Sequence, residues 1–424
     1  MLGRFGNWLR RVFGRAEERE VLRAPAGATE RTTDLVTEQV ARKGPLKPEH
    51  LRQIVRDERL LPKPKPSTWT KPPKVMEADE AKRLFAGSLR TSNRQLRTLA
   101  SDVAQLERYG LPVWRTEPEL AGALGVTVKQ LRYYSTHRER DRAPHYITYA
   151  IAKRSGGTRQ IHAPKQRLKA LLRRVQRELV AKLPVSSHAH GFVAGRSVKS
   201  GAVPHVGQPV LLRLDIKDFF PSVTMPRVRG YLIALGYSYP VAATLAVLVT
   251  EAPRQPVDID GTIYHVPVGP RACVQGAPTS PGLCNAIAMR LDRRLAGLAK
   301  QHGFTYTRYA DDMTFSGPSE RAAHRLRRAA ERVIREEGFE VNAAKTRVMR
   351  SGGRKIVTGV IVDRVLGLSR QQRRKIRAML HHARTRGADA KRRAQLAGLL
   401  AWVQMLNPQQ AAALRRADVS RRDA

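Results

Sequence analysis

The stretch Phe304–Ser316, FTYTRYADDMTFS, decides the fold of this chain. Aromatic and β-branched residues, which favour strands, flank Ala310-Asp311-Asp312, so the stretch predicts a β-hairpin with two carboxylates at its turn. A third acid, Asp215, ends an apolar run that begins at Val210. Clustered carboxylates repel each other unless cations lie between them, and a set of oxygen ligands suits Mg²⁺. An isolated Asp-Asp pair is more often a polar turn, so the neighbouring elements must decide between the two interpretations.

The order of the predicted elements around the hairpin is that of a split β-α-β sheet. A strand over Val210–Ile216 comes first, and a helix that begins at Ser280 follows, because Ser and Pro favour a first helical turn. After the hairpin, a second helix from Ser319 ends at Gly338, before a strand over Phe339–Val341. This β-α-β-β-α-β order predicts an α/β (α+β) fold with both helices on one face of the sheet and the three acids at one edge. The palms of nucleic-acid polymerases have this arrangement.

Further motifs make the chain resemble the reverse transcriptases, and in particular their bacterial retron branch. The features shared with reverse transcriptases in general are Tyr309–Asp312, Asp215 and the QGAPTSP segment at Gln275–Pro281. The retron-like features are HGF at His190–Phe192, GRS at Gly195–Ser197, DFFPSV at Asp218–Val223 and Val357-Thr358-Gly359. The resemblance extends from Leu111 to Arg415, and its blocks occur in the order of the family. It implies a right-hand polymerase with fingers, a split-βαβ palm and a helical thumb.

The resemblance also implies an activity and a set of site residues. The activity is RNA-directed DNA polymerisation with two Mg²⁺ ions held by Asp215, Asp311 and Asp312. The nucleotide-binding residues implied by the family are Arg159, Lys165, Phe220, Gln275 and Lys345. Among these, the Phe220 ring would exclude a ribose 2′-OH, and Lys345 would be a proton donor or a charge stabiliser. The residues implied in recognition of the RNA are Val357, Thr358 and Gly359.

The retron branch implies particular partners. They are a structured noncoding RNA that is both template and primer, deoxynucleotides, and a single-stranded DNA product branched from an RNA 2′-OH (msDNA). An effector protein and a role in antiphage defence complete this expectation. The alternatives within the family are a diversity-generating or an abortive-infection reverse transcriptase. Two departures from the retron pattern are Gly201, where asparagine is typical, and Cys273-Val274, where Leu-Pro is usual.

Composition limits the classes of function. The chain has 424 residues with 78 Lys and Arg against 36 Asp and Glu, a formal net charge of +42. Such a charge favours a polyanionic partner, most commonly nucleic acid. Two cysteines, Cys273 and Cys284, make a disulfide framework or a cysteine zinc site improbable. No apolar run reaches the roughly 18 residues of a membrane span, and a reducing cytoplasm fits the sequence best.

The predicted domains divide the chain into four parts. They are a basic N-terminal extension with a Pro/Lys-rich linker (1–75), a helical region (76–145), the fingers and palm (146–363) and a helical thumb (364–424). Residues 1–20 predict a basic amphipathic helix that would pack on protein or lie on a membrane surface. Leu120, Leu124 and Leu131 have helical spacing interrupted at Gly125, a pattern that also fits a helix-turn-helix. A basic DNA-binding regulator is therefore the alternative from a different class.

Overall fold

The computed structural model describes residues 100–419, except residues 137, 139, 140, 153–157, 260, 261 and 351. The predicted N-terminal extension, its linker and the basic residues Lys153 and Arg154 of the fingers lie outside the described residues. Contacts divide the chain into two compact units. The sheet unit contains residues 184–219 and the described residues from 288 onward. The hairpin unit contains the described residues up to 183 together with 220–287.

Both units contain helices and strands. The helices of the described residues are α1 (Val103–Arg108), α2 (Glu117–Ala123), α3 (Val128–Ser135), α4 (Gln166–Glu178), α5 (Val198–Ala202), α6 (Met225–Ala234), α7 (Tyr239–Leu248), α8 (Ser280–Ile287), α9 (Met289–Gln301), α10 (Glu320–Glu336), α11 (Arg370–Thr385), α12 (Ala390–Leu406) and α13 (Pro408–Val419). The strands are β1 (Tyr146–Ala152), β2 (Thr158–Pro164), β3 (Val210–Lys217), β4 (Arg254–Ile259), β5 (Thr262–Pro267), β6 (Thr305–Tyr309), β7 (Asp312–Gly317), β8 (Glu340–Val341), β9 (Arg347–Met349), β10 (Ile356–Val357) and β11 (Val360–Ile361). Short 3-10 turns are formed by Val180–Lys182, Val203–His205 and Ala343–Lys345.

The central sheet has the topology predicted from the order of elements. Its strands run β6-β7-β3-β8, with β9 also paired to β3, and all of these pairs are antiparallel. This is the strand order that a split β-α-β unit produces. The fold class predicted from the sequence is confirmed.

The two faces of this sheet have different chemistry. The pairing register places Leu214 of β3 opposite Met313 of β7 on the apolar face of the sheet. Side chains of β6 lie on the same face, and Asp292 of α9 contacts them. Helix α9 therefore covers this face. Helix α10 packs beside α9 and against β3. The other face carries Asp215 of β3 opposite Asp312 of β7. The helices and the carboxylates therefore lie on opposite faces of the sheet.

The ends of α10 agree with the sequence prediction, whereas the helix before the hairpin does not. The Ser319 side chain accepts a hydrogen bond from the backbone N–H of Ala322, and Gly338, with a φ of +73°, follows the helix end. The helix predicted to begin at Ser280 is interrupted, because α8 ends at Ile287 and α9 begins after Ala288. Alanine is a strong helix former, so the sequence contains no signal for that break.

The helical thumb predicted for the C-terminal region consists of α11, α12 and α13. Its core includes Ile376 of α11 and Leu399 and Trp402 of α12. The β10–β11 hairpin contributes Val357 and Val360 to the same core. The predicted domain boundaries themselves stay predictions.

Two antiparallel hairpins characterise the hairpin unit. Strands β1 and β2 pair over seven positions, and β4 and β5 pair up to Ile259 opposite Thr262. Helices α2 and α3 bury Leu120 and Leu131 and contact α7. Across the described residues, the structure contains no helix whose length and apolarity would suit a membrane span.

Candidate active site

The three acids predicted to be catalytic lie together at one edge of the sheet. Asp215 and Asp312 are directly opposite each other in the β3–β7 register. Asp311 belongs to the two-residue turn that joins β6 to β7, because Tyr309 pairs with Asp312. The backbone carbonyl of Asp311 accepts a hydrogen bond from the N–H of Ile216 at 2.9 Å, which ties the turn to β3.

The electrostatics of this edge favour the binding of cations. Burial raises the pKa of the Asp312 carboxyl to about 6; Arg213 opposes this shift, and the charges of Asp311 and Asp215 add to it. Burial also raises the pKa of Asp215, opposed by a hydrogen bond from Lys345 and reinforced by the charge of Asp311. Carboxylates that repel each other in a partly buried place gain stability from any cation that joins them.

Side-chain cations contact two of the three acids. The Lys345 ammonium donates to both carboxylate oxygens of Asp215, each at 3.0 Å, from the 3-10 turn that follows β8. Arg213 Nε donates to Oδ1 of Asp312 at 2.7 Å. The prediction that Lys345 is a nucleotide-binding residue is untested, but the structure places its charge beside the acids.

The carboxylates at this edge are chemically suited to bind a divalent metal ion. Carboxylate oxygens are hard ligands of the kind that Mg²⁺ prefers. Among the described residues, no three His, Cys, Asp or Glu side chains are grouped so that they could hold a metal ion. Instead, Lys345 and Arg213 contact carboxylate oxygens that a metal ion would use. Metal ligation by Asp215, Asp311 and Asp312 therefore stays a prediction.

The turn that carries Asp311 has an unusual backbone. Ala310, its first central residue, has a φ of +58°, whereas Asp311 does not have a positive φ. This pattern is that of a type II′ turn, in which glycine is the preferred first residue. A residue with a side chain in this conformation is strained and persists only when its surroundings hold it.

A buried ion pair holds this turn from the helix side of the sheet. Arg308 Nη1 donates to the carbonyl oxygen of Ala310 at 3.0 Å. Arg308 also binds both oxygens of Asp292 on α9, each at 2.7 Å, and the Tyr306 hydroxyl donates to the same carboxylate at 2.8 Å. Arg308 and Asp292 are both fully buried. Sequence analysis missed this pair, because no local pattern connects a charged residue of a helix with one of a strand.

The HGF motif packs against the same turn. The N–H of His190 donates to the carbonyl of Arg308 at 2.7 Å, and Ala189 forms a parallel bridge with that residue. A Cβ atom at Gly191 would lie 2.8 Å from the backbone nitrogen of Ala310, closer than atoms can approach. Glycine is therefore required here, because the backbone of the turn occupies the space of a side chain.

His205 supports the hairpin from the carboxylate face of the sheet. Its Nδ1 lies 2.7 Å from the Ser316 hydroxyl and its Nε2 lies 2.8 Å from the Thr307 hydroxyl, so both ring nitrogens are occupied by strand residues. Burial lowers the pKa of His205 to about 4, which keeps the ring neutral. Gly201, the departure from the retron asparagine, faces His190, and a Cβ atom there would lie 3.2 Å from the His190 Cβ.

The other predicted nucleotide-binding residues lie in the hairpin unit. Arg159 is on β2 opposite Ile151, and Lys165 is the exposed residue that precedes α4. The carbonyl of Gln275 accepts a hydrogen bond from the N–H of His162 at 2.8 Å, which joins the QGAPTSP loop to β2. Phe220 is half-buried, whereas Phe219, which belongs to the sheet unit, is 4% exposed, as expected for the core residue of the two.

The triplet predicted to recognise RNA is divided by the fold. Val357 is buried in the thumb core. Thr358 and Gly359 form the two-residue turn between β10 and β11, with φ values of +47° and +84°. This pattern is that of a type I′ turn, in which a β-branched residue such as threonine is rare. Within the triplet, Gly359 is exposed and Thr358 is half-buried.

Comparison with known proteins identifies the family. The model of the family "Reverse transcriptase (RNA-dependent DNA polymerase)" matches residues 151–380. The chain is also 62% identical over 411 residues to the Retron Mx65 reverse transcriptase of Myxococcus xanthus, covering 96% of each chain. The chain belongs to the retron reverse transcriptases. It is 44% identical over 317 residues to the Retron Mx162 enzyme of the same organism, covering 70% of this chain and 65% of that one.

More distant matches include a further retron enzyme and two solved structures. The Retron Ec86 reverse transcriptase of Escherichia coli is 32% identical over 284 residues, which are 66% of this chain and 81% of that one. Among solved structures, telomerase from Candida albicans with a fragment of telomeric RNA is similar at a TM-score of 0.39 and 12% identity, over 67% of this chain and 56% of that one. A foamy viral protease-reverse transcriptase with double-stranded DNA is similar at a TM-score of 0.37 and 13% identity, over 79% and 55% of the two chains.

Membership of the family establishes the class of reaction. The retron reverse transcriptase is an RNA-directed DNA polymerase, so the alternative of a DNA-binding regulator, which the helices around Leu120–Leu131 had left open, is excluded. Enzymes of this family generally use divalent metal ions.

Proposed function

We propose that this enzyme copies part of a structured noncoding RNA into single-stranded DNA that stays joined to a 2′-OH of that RNA. The observation that carries the proposal is the 62% identity, over 96% of both chains, to a retron reverse transcriptase. The proposal also includes a cytoplasmic location and a role in antiphage defence with an effector protein.

The proposed chemistry is a nucleotidyl transfer at the edge of the sheet. The RNA hydroxyl attacks the α-phosphorus of a deoxynucleotide, a new O–P bond forms, and the bond to the leaving pyrophosphate breaks. Two Mg²⁺ ions held by Asp215, Asp311 and Asp312 would supply charge neutralisation at the attacking and leaving oxygens. Lys345, whose ammonium lies 3.0 Å from the Asp215 carboxylate, would place a positive charge near the leaving pyrophosphate. Positioning and electrostatic stabilisation are the main contributions that a protein makes to such transfers.

Residues of the hairpin unit are proposed to bind the incoming nucleotide. Arg159 and Lys165 would contact its triphosphate, and Gln275 would lie against the nucleotide. Phe220, beside the buried Phe219, would exclude a ribose 2′-OH by its bulk. Phe220→Ala should therefore incorporate ribonucleotides in a single-nucleotide extension assay. Unchanged selection against ribonucleotides would mean that the ring only packs.

The surface turn between β10 and β11 is proposed to recognise the RNA. The backbone conformation of Thr358 is costly, and among the residues that the structure describes none beyond the chain neighbours lies within 4 Å of the position of a Cβ atom at Gly359. Strained residues at open positions are often functional rather than structural. The proposal therefore assigns recognition to Thr358 and Gly359, with Val357 anchoring the turn in the thumb core.

The experiment that tests the proposal examines the nucleic acid that the enzyme carries. The protein is purified from cells expressing it with the DNA upstream of its gene, the bound nucleic acid is treated with RNase, and the remainder is sequenced. A discrete single-stranded DNA joined to a ribonucleotide by a 2′,5′ bond is the expected product. Heterogeneous RNA alone, with no DNA formed after adding deoxynucleotides and Mg²⁺, would contradict the proposal.

A further inference from the structure

Helix α10 carries a row of exposed arginines along its whole length. The members of this arginine row are Arg321, Arg325, Arg328, Arg332 and Arg335. Their spacing of 4, 3, 4 and 3 residues places them on one side of an α-helix, one turn after another. With a rise of 1.5 Å per residue, the row extends over about 21 Å.

The acids of α10 do not compensate the positive charge of the row. Each acid of α10 contacts a cation outside the row: Glu320 pairs with Arg350 at 3.2 Å, Glu331 with Arg327 at 2.8 Å, and Glu336 with Arg294. In the part of the chain that the structure describes, no arginine of the row forms an ion pair. Like charges at this spacing destabilise a helix by about 0.2–0.5 kcal/mol per pair, so the protein carries a cost that an anionic ligand would remove.

The row lies away from the catalytic edge. The buried side of α10, which includes Leu326, Ala330 and Ile334, packs towards the sheet, and the arginines point in the other direction. The face of the sheet that α10 covers is opposite the face that carries Asp215 and Asp312. A polyanion on the arginine row is therefore not the stretch of template being copied at the acids.

We propose that the arginine row binds the phosphodiester backbone of the RNA substrate, in a segment outside the copied template. Guanidinium groups form short, charge-assisted hydrogen bonds with phosphate oxygens, and five of them on a rigid helix match a run of successive phosphates. The inference rests on the proposed function, because it takes the RNA substrate from it. The proposed ligand is the RNA phosphodiester backbone, whether the bound segment is a double-stranded stem or a single strand.

The test compares a variant that lacks three positive charges of the row with a control variant that lacks three positive charges elsewhere. The row variant is Arg325→Gln/Arg328→Gln/Arg332→Gln. The control is Lys129→Gln/Arg293→Gln/Lys300→Gln, which removes three exposed positive charges that lie outside the row. A second variant, in which the same three row positions become lysine, keeps the charge. Affinity for the RNA transcribed upstream of the gene is measured between 50 and 300 mM salt, with folding checked by circular dichroism.

The salt dependence of affinity decides the outcome. Log affinity falls as log salt concentration rises, and this slope should become shallower in the row variant. The change should be about 2.7 if a stem is bound and about 2 if a single strand is bound. The control and the lysine variant should keep the wild-type slope. Separate stems and single-stranded fragments of the RNA, used as ligands, identify which of them carries the difference. A row variant whose slope equals that of the control would overturn the inference.

Primer extension on a homopolymer template separates this inference from the proposed function. The row variant should extend a short DNA primer on that template at the wild-type rate, because the row lies away from the acids. If the wild-type enzyme forms no branched DNA, the proposed function fails, and the comparison of salt slopes still decides whether the row binds RNA.

Discussion

The sheet unit contains two hairpin turns that share one backbone feature, a positive φ at a residue other than glycine, and differ in turn type and in surroundings. Each has two residues, and in each a residue other than glycine adopts a positive φ: Ala310 at +58° and Thr358 at +47°. The first turn is enclosed, because Arg308 binds its carbonyl and Gly191 touches its backbone. The second turn is open, because no described residue apart from the chain neighbours of Gly359 has an atom within 4 Å of a Cβ position there.

This difference fits the roles proposed for the two turns. Catalysis requires the atoms of Asp311 and Asp312 to stay fixed, and displacement of about 1 Å can cost 100-fold in rate. The enclosed turn is therefore held by Arg308 and by the backbone at Gly191. Recognition of a partner requires a surface that the partner can reach, and the Thr358–Gly359 turn provides one at the tip of a hairpin rooted in the thumb core.

The largest effect is expected from the acids of the enclosed turn. Asp311→Asn or Asp312→Asn should lower the rate of DNA synthesis by more than about 100-fold. Loss of a residue that only hydrogen-bonds a metal ligand costs up to about 100-fold, whereas these substitutions change a proposed metal ligand itself. RNA affinity should not change, since the charged surfaces that bind RNA remain. Extension of a primed RNA by purified variants measures the first quantity and filter binding the second. Synthesis at the wild-type rate would show that these acids do not act through metal.

The buried pair behind the turn should produce the next largest effect. Arg308→Met alone leaves Asp292 buried without its partner, which should cost about 3–5 kcal/mol of the free energy of unfolding. In Arg308→Met/Asp292→Leu, stability should largely return, because apolar residues often replace a buried ion pair without loss. DNA synthesis should stay roughly 100-fold low in the double variant, since the Ala310 carbonyl still lacks its donor.

Thermal unfolding and primer extension, measured on the same preparations, separate the two roles of this pair. A double variant that recovers both stability and synthesis would mean that Arg308 and Asp292 only hold the core together.

Matched glycine substitutions compare the enclosed and the open turn directly. Gly191→Ala should lower synthesis on any template by about 10-fold, because the new Cβ would lie 2.8 Å from the Ala310 nitrogen and displace the turn. Gly359→Ala meets no neighbour and should cost only about 1 kcal/mol of stability for its positive φ. Its synthesis on an unrelated primed RNA should be normal. Equal losses in the two variants would remove the distinction between the turns.

The smallest effect is expected at Thr358. Thr358→Gly should raise the free energy of unfolding by about 1 kcal/mol, because glycine adopts a positive φ without strain. Affinity for the enzyme's own RNA should fall about 2- to 10-fold, which corresponds to one lost hydrogen bond. Chemical denaturation and RNA titration measure the two quantities. Higher stability with unchanged RNA affinity would show that the strained conformation of Thr358 does not contribute to RNA recognition.

Local signals in the sequence were enough to predict the palm but not what holds the active-site turn. Ser319 and Gly338 mark the ends of α10, and the aromatic and β-branched residues around Asp311 predict its hairpin correctly. The Arg308–Asp292 pair was missed because it joins two elements that only the fold brings together. The burial of Val357 in the thumb core was missed for the same reason.

The two turns have different proposed roles: the enclosed turn performs the chemistry, and the open turn selects the RNA. The most direct test measures DNA synthesis and RNA affinity for Asp311→Asn and Thr358→Gly, with the enzyme's own RNA and with an unrelated primed RNA. Asp311→Asn should lose synthesis on both templates and keep its affinity for both RNAs. Thr358→Gly should lose affinity for its own RNA alone and keep normal synthesis on the unrelated template. Wild-type synthesis by Asp311→Asn, or the same pattern of losses in both variants, would contradict the claim.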